Sequence, residues 1–362
     1  MTTNKYSAHK IVNHPAKLQS FREGKIVAPL YVRIKPTNRC NHACSWCVYQ
    51  SSFSGMHELA GNKDGWKKMK PQDIDEIPTP KLLEIIQDLG DMGVKAVTFS
   101  GGGEPLLHPG ICEAMRFCLK LGINYSIITN GQMINGDRAN LLASAAWVRV
   151  SIDYANPEQM RQSRGTGEAA YNMVMDNLTK FSKIKLPDCE LSINWIVTLE
   201  NHRSLFESAL KLKECGVNNI RFSPVWRPDF QTYHAPLIGV VEKQMQTLRL
   251  MQTDEFKVYS SYNLTDPQHG GDRKHHQCWF LQITPSIGAD CSIYACHQKS
   301  YSADGMLGSI KSRSFKEAWF SDDVKQRMQS LDPMKSCRSA CAAHHKNDLI
   351  ANILDAGDDH FV

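Results

Sequence analysis

The sequence predicts an α/β fold built on a parallel sheet, and three observations predict it. Short runs rich in Val, Ile and Phe recur up to residue 223. Amphipathic stretches of helical period separate them. A glycine such as Gly216 stands where a helix should stop. Strands are expected at Tyr31–Lys35, Val94–Ser100, Asn124–Thr129, Trp147–Ile152, Leu191–Val197 and Asn219–Ser223. Helices are expected between them, as at Pro80–Leu89, Gly110–Leu121 and His202–Glu214. Alternating strands and helices make βαβ units. Six such units suit a partial (β/α)6 TIM-like barrel. A doubly wound sheet fits the periodicity equally well.

The chain has 362 residues, enough for one large domain and a small one. It is 42% hydrophobic and 22% charged, an ordinary globular composition. The formal charge of +5 comes from scattered basic residues, which argues for neither nucleic acid nor membrane as partner. No apolar run reaches the roughly 18 residues of a membrane span. The N-terminus, MTTNKYSAHKIVNHP, has no apolar segment of a secretory signal. The expected location is therefore cytoplasmic. Thiols stay reduced there, so twelve cysteines, several closely spaced, point to metal rather than disulfides.

The first cluster reads RIKPTNRCNHACSWCVYQ, with Cys40, Cys44 and Cys47 in the loop after the first strand. Three thiolates on one short loop hold three corners of an iron–sulfur cubane and leave the fourth iron open. Zinc is the alternative, with His42 as fourth ligand. The spacing Cys-x3-Cys-x2-Cys, with Trp46 before the third cysteine, resembles the signature loop of the radical S-adenosylmethionine (SAM) superfamily. Phe99-Ser100-Gly101-Gly102-Gly103-Glu104-Pro105, at the end of the second strand, resembles that family's GGE motif. The resemblance implies a partial TIM-like barrel and a [4Fe–4S] cluster whose open iron is chelated by SAM. It also implies cofactor contacts from Trp46, Gly102, Gly103, Glu104, Ser151, Asp153, Arg164 and Asn194.

The pattern weakens after Pro228, and a second cysteine-rich segment begins at Cys278. Cys278 to Cys296 reads as a hairpin turning at Gly288, with Cys291 beside the turn. Cys337 and Cys341 follow a helical stretch, Ser314–Gln329. Cys278, Cys296, Cys337 and Cys341 can enclose a second cubane or a zinc ion. The layout resembles the shortened auxiliary-cluster domain called twitch, a reduced SPASM domain, which implies an auxiliary [4Fe–4S] cluster. The expected organisation is a barrel over residues 1–230, a connecting helix and loop over 231–277, the twitch-like domain over 278–345 and a tail over 346–362. Cys291 is a core thiol, an alternate ligand or a hydrogen-atom donor. Cys112, Cys118, Cys189 and Cys215 read as core thiols.

By this resemblance the chain is a radical SAM oxidoreductase or epimerase. Reductive cleavage of SAM would give a 5′-deoxyadenosyl radical that takes hydrogen from the substrate. A reducing partner such as flavodoxin or ferredoxin is implied. Only about 30 residues precede the first strand, which leaves no room for a peptide-recognition domain. The expected substrate is therefore a small molecule: a sugar, an aminocyclitol or a nucleotide-like metabolite. A peptide-modifying maturase is the alternative within the family, and a non-catalytic zinc-binding protein is the alternative outside it.

Overall fold

The computed structural model describes residues 8–49, 75–227, 229–262, 275–337, 341 and 343–356. Its ten strands form one sheet. Seven run in parallel: β1 (Tyr31–Ile34), β2 (Ala96–Phe99), β3 (Asn124–Thr129), β4 (Trp147–Ser151), β5 (Glu190–Val197), β6 (Asn219–Pro224) and β7 (Lys257–Ser260). β8 (Ser286–Ile287) pairs in parallel with β1 on the other side, and β9 (Ser292–Tyr294) and β10 (Met306–Ser309) continue from it antiparallel. The C-terminal segment thus extends the same sheet at its β1 edge.

Strand alternation sorts the two faces. Val32, Ile34, Val97, Phe99, Ile127, Val148, Val150, Ile193, Ile220 and Phe222 are fully buried under the helices. The helix Thr79–Asp91 meets them with Leu82, Ile85, Ile86 and Leu89, one face at helical spacing and wholly buried. Each such side chain contributes about 1.5–3 kcal/mol of apolar burial. The opposite face lines the lumen and is polar. Thr98 and Ser126 hydrogen-bond across it at 2.9 Å. Higher up, Ser151, Asn194, Arg221 and Tyr259 stand in register on four successive strands.

The six expected strands are present with small shifts at their ends, and β7 adds a seventh within the stretch read as a connection. Its residues Lys257, Val258 and Tyr259 are all only partly buried, so it carries no apolar alternation to read. The strand expected from Cys278 is a 3-10 turn, Trp279–Gln282, and the hairpin itself is short, pairing Ser286 with Tyr294. The expected tail begins instead as a helix, His344–Asp355. Its Ile350, Leu349 and Ile353 pack with Ile11, Phe21, Phe280 and Ile283 into a second apolar cluster. Cys118 and Cys189 are core thiols, as expected, and Cys112 and Cys215 pack against the core. Residues 358–362, expected to close over the barrel or fray, lie outside the described residues.

Candidate active site

The loop of Cys40, Cys44 and Cys47 is stitched to three strand ends. From β2, the Gly103 N–H donates to Thr37 O at 2.9 Å and the Glu104 N–H to Arg39 O at 2.8 Å. A Cβ on Gly103 would stand 2.0 Å from Arg39 O, and one on Gly102 1.8 Å from Asn38 Oδ1. The glycine run is thus required by the approach of the cysteine loop itself. From β3, Asn130 donates to Asn41 Oδ1 at 2.7 Å, and Gln132 Oε1 meets Asn41 and His42 at 2.9 and 3.0 Å.

Beyond β4, the helix Pro157–Arg164 opens with an Asn156 cap and ends at Gly165 in the left-handed region. The carbonyls of Ser163 and Arg164 there accept from Ser45 N–H and Ala43 N–H at 2.9 and 2.7 Å. That helix ending delivers Arg164 to the loop. Arg164 Nε donates to Asp153 Oδ1 at 2.8 Å, Nη2 to Ser151 O at 3.1 Å and Nη1 to Cys44 Sγ at 3.4 Å. Its guanidinium lies 5.0 Å from the Trp46 ring centroid and 5.7 Å from that of Tyr154. Asp153 and Arg164 are both buried. Burial opposes the charge on Arg164, but Asp153 and Cys44 outweigh it and hold its pKa up.

Glu104 is the second buried acid. Its Oε1 accepts from Thr129 Oγ1 at 2.7 Å and Leu106 N–H at 3.1 Å, and its Oε2 from Asn130 N–H at 2.7 Å. Burial nevertheless pushes its pKa up to about 6. Burial likewise pushes Cys40 up to about 12, helped by the charges of Glu104, Cys44 and Cys47, and raises Cys44. His42 is pushed down to about 4 by burial and then by Arg164. Thiols crowded and buried in this way are poor anions by themselves and good ligands for a cation. Buried Ser100 Oγ, Ser163 Oγ and Thr166 Oγ1 beside the loop have no hydrogen-bond partner among the described residues, which leaves donors for a bound group.

The second set comes from four places in the chain. Cys278 precedes the turn Trp279–Gln282, Cys296 precedes the turn His297–Lys299, Cys337 ends the short helix Pro333–Ser336, and Cys341 lies one residue pair before the C-terminal helix. Burial pushes Cys278 up to about 12, with further pressure from Cys296 and Cys337, and Cys296 is raised by burial and in smaller part by Cys341. Asn347 on the C-terminal helix donates to Cys278 Sγ at 3.5 Å. The charges that act most on Cys291 are not those of these four thiols. Cys291 is buried at a left-handed turn position, φ 57°, and its charged neighbours are Asp290, Lys81, Lys311 and Asp75. Tetrahedral zinc holds thiolate sulfurs about 3.8 Å apart, given Zn–S of about 2.3 Å. Among the described residues the ligating trio within 4.8 Å is His275, His344 and Asp348, and no three thiols of either set approach one another that closely.

Lys35, 1% exposed and within reach of the charge of one thiol from each set, is not among the residues expected from the sequence. Its Nζ donates to Tyr49 Oη at 2.6 Å and Gly101 O at 3.0 Å. Burial lowers its pKa to about 7, and the charges of Cys296 and Cys47 pull the other way. The findable signal was a lysine continuing the lumen-facing alternation of Tyr31 and Arg33. The lumen below is basic. Burial lowers the pKa of Lys346, and Arg33, Arg221 and Lys10 add to that effect. Ser151 and Asn194 face this lumen, half-buried and side by side. The polar side chains that follow β6 are engaged locally: Arg227 pairs with Asp229 at 2.8 Å, and His234 bonds Tyr262 and Val225 O at 2.9 Å each.

The model of the Radical SAM superfamily matches residues 34–223, over half the chain, from the last residue of β1 to the next-to-last of β6. The chain belongs to the radical SAM superfamily. Membership implies a [4Fe–4S] cluster and SAM. The GTP 3',8-cyclase of Chlorobaculum tepidum is 32% identical over 132 residues, 36% of this chain and 34% of that protein. The chain thus spans about a third of that relative. The GTP 3',8-cyclase of Nostoc sp. is 24% identical over 335 residues, 90% of each chain. The PqqA peptide cyclase of Rhodopseudomonas palustris is 23% identical over 326 residues, 87% of this chain and 79% of that protein. Among solved structures, Streptococcus suis SuiB bound to its precursor peptide SuiA has the same fold, with a TM-score of 0.62 at 16% identity, covering 94% of this chain and 78% of that one. This radical SAM enzyme has no helix among its described residues long and apolar enough to cross a membrane.

Proposed function

We propose that this radical SAM enzyme modifies a peptide, with the SAM-binding cluster on Cys40, Cys44 and Cys47 and an auxiliary cluster on Cys278, Cys296, Cys337 and Cys341. The observation that supports the two-cluster reading is that one thiol of each set, Cys47 and Cys296, lies close enough to buried Lys35 for its charge to act on that lysine. No three thiols of either set come within 4.8 Å of one another, which favours the larger cubane over a zinc ion. When bound, the cluster and SAM supply the radical that removes a substrate hydrogen. The chain's own residues do the rest. Arg164 offsets the charge of Cys44 and is itself oriented by Asp153. Glu104 locks the glycine run to Asn130 and so fixes the loop. Gly102, Gly103, Ser151 and Asn194 offer small or polar contacts for the cofactor's nucleoside and methionine parts, and Trp46 stacks on Arg164.

The likenesses favour a peptide over the small molecule expected from the short N-terminal segment. The match to PqqA peptide cyclase covers 87% of this chain, well beyond the family core, and SuiB holds a precursor peptide in the same fold. The basic lumen of Arg33, Arg221 and Lys346 then selects a peptide that presents a carboxylate. That same basicity supports a second reading, a phosphate-bearing nucleotide, in line with the GTP 3',8-cyclase relatives. Oxidation and epimerisation remain two outcomes for the substrate radical; a cross-link or ring closure is a third.

The test is anaerobic reconstitution with iron and sulfide, followed by reduction. About eight irons per chain and 5′-deoxyadenosine from SAM are expected, and Cys40→Ala should abolish the cleavage. Acidic peptides and nucleoside triphosphates are then compared as substrates by product mass. Turnover of nucleotides alone would reject the peptide reading. Zinc in place of iron on the thiols, with no deoxyadenosine formed, would reject the enzyme.

A further inference from the structure

Apart from the thiols, one compact donor group stands out. His344 and Asp348 lie four residues apart on the C-terminal helix, and so on one face of it. His275 comes from the segment just before Cys278. One donor atom from each of the three side chains lies within 4.8 Å of the other two. His275 Nδ1 is 3.0 Å from Asp348 Oδ1, and His344 Nε2 is 3.3 Å from Asp348 Oδ2. Both imidazoles are buried, and the carboxylate keeps 35% of its side-chain surface in solvent.

We propose that His275, His344 and Asp348 bind a zinc ion that clamps the C-terminal helix to the segment carrying Cys278. Two imidazole nitrogens and one carboxylate oxygen are a donor set zinc accepts, with bonds of about 2.0–2.2 Å. Around a tetrahedral ion, donors at that distance stand about 3.4 Å apart. Asp348 presents one oxygen to each imidazole, Oδ1 to His275 and Oδ2 to His344, at separations within a few tenths of an ångström of this, so its carboxylate already bridges the two nitrogens. The exposed edge of Asp348 gives the ion its way in and leaves a coordination position for water. The donor set holds no thiolate, so it is chemically distinct from the two cysteine sets and selects against a cluster.

The location says what the clamp would do. The His344 N–H donates to Cys341 O at 3.1 Å, and Asn347, on the same helix, contacts Cys278 Sγ at 3.5 Å. Asn347 Oδ1 also accepts from Phe280 N–H at 3.0 Å. An ion held by residues 344 and 348 and by residue 275 therefore fixes the helix turn that orients Cys278. It also holds the helix face that covers Ile11, Phe21 and Phe280. The clamp is structural, and it is independent of which substrate the lumen takes.

The test uses the full chain with its iron–sulfur content reconstituted anaerobically. Elemental analysis should find one zinc per chain besides iron. Zinc-edge X-ray absorption should show only nitrogen and oxygen neighbours, at about 2.0–2.1 Å. Asp348→Asn and His275→Gln should each lower zinc affinity at least about tenfold, with iron and sulfide content unchanged in the folded variants. Absence of zinc, retention of zinc in both variants, or a sulfur shell near 2.3 Å (zinc sitting in a thiol set) would each overturn the proposal. The absorption measurement on the wild-type chain decides the matter even if a variant does not fold.

Discussion

Arg164 places Nη1 3.4 Å from Cys44 Sγ while its Nε holds Asp153 at 2.8 Å, so one buried guanidinium serves a thiol and a carboxylate together. Asp153 is 1% exposed and depends on that charge. Burial raises its pKa, and Arg164 is the principal force lowering it. Replacing one member of a buried pair strands the other, at a cost of about 3–5 kcal/mol. Arg164→Met should destabilise the chain by that amount in chemical denaturation. Adding Asp153→Asn should recover at least about 1 kcal/mol of it, because the stranded charge is gone. Equal stability of the single and double variants would show that the pair is not coupled.

Glu104 makes stability depend on pH in a defined window. Its carboxyl binds a proton more tightly in the fold, at about 6, than at the ordinary value of 4.5. Between these values the folded chain holds more protons than the unfolded one, so stability falls as pH rises. The contribution is fully present below about 4.5 and is lost as pH passes 6. Its full size is about 2 kcal/mol, since each tenfold gain in proton affinity is worth about 1.4 kcal/mol. Glu104→Gln stays neutral throughout and should lack this decline. Denaturation at pH 4.5, 5.25, 6 and 7 should show the wild type losing ground to the variant across the window. A constant difference would mean that the hydrogen bonds from Asn130, Thr129 and Leu106 hold the carboxylate at its usual value.

Much of this site was legible because spacing carries it. The three thiols of the first loop, the glycine run and the strand before each follow from short-range pattern, and the fold brings them together. The roles were less legible. Asp153 and Arg164, expected as separate cofactor contacts, are first of all partners of each other. Gly103 is small because Arg39 O lies where its Cβ would be, a contact between segments 64 residues apart in sequence. Glu104 is gripped by Thr129 and Asn130, whose sequence, at the end of the third strand, suits either a pocket lining or a simple turn. β7 escaped because an edge strand with partly solvated residues has no alternation, and the C-terminal helix because its apolar residues matter only against Phe21 and Phe280. These are facts of tertiary packing, and local periodicity does not encode them.

Lys35 joins the two thiol sets, and its charge should be felt at both. It is 1% exposed, anchored to Tyr49 Oη and Gly101 O, and acted on by the charges of Cys47 and Cys296 alike. A cation near an iron–sulfur centre favours the added electron, and a dry setting weakens the field little. On the proposed cluster assignment, Lys35→Met should make both centres harder to reduce. Redox titration followed by electron paramagnetic resonance should show both midpoint potentials moving negative, and deoxyadenosine formation should slow with them. Lys35→Arg, which keeps the charge, should stay near the wild-type potentials. A shift at one centre alone would place Lys35 against that thiol set and break the proposed link. Unmoved potentials in Lys35→Met, with iron content intact, would show that the lysine is neutral in the loaded enzyme and acts only through its hydrogen bonds to Tyr49 and Gly101.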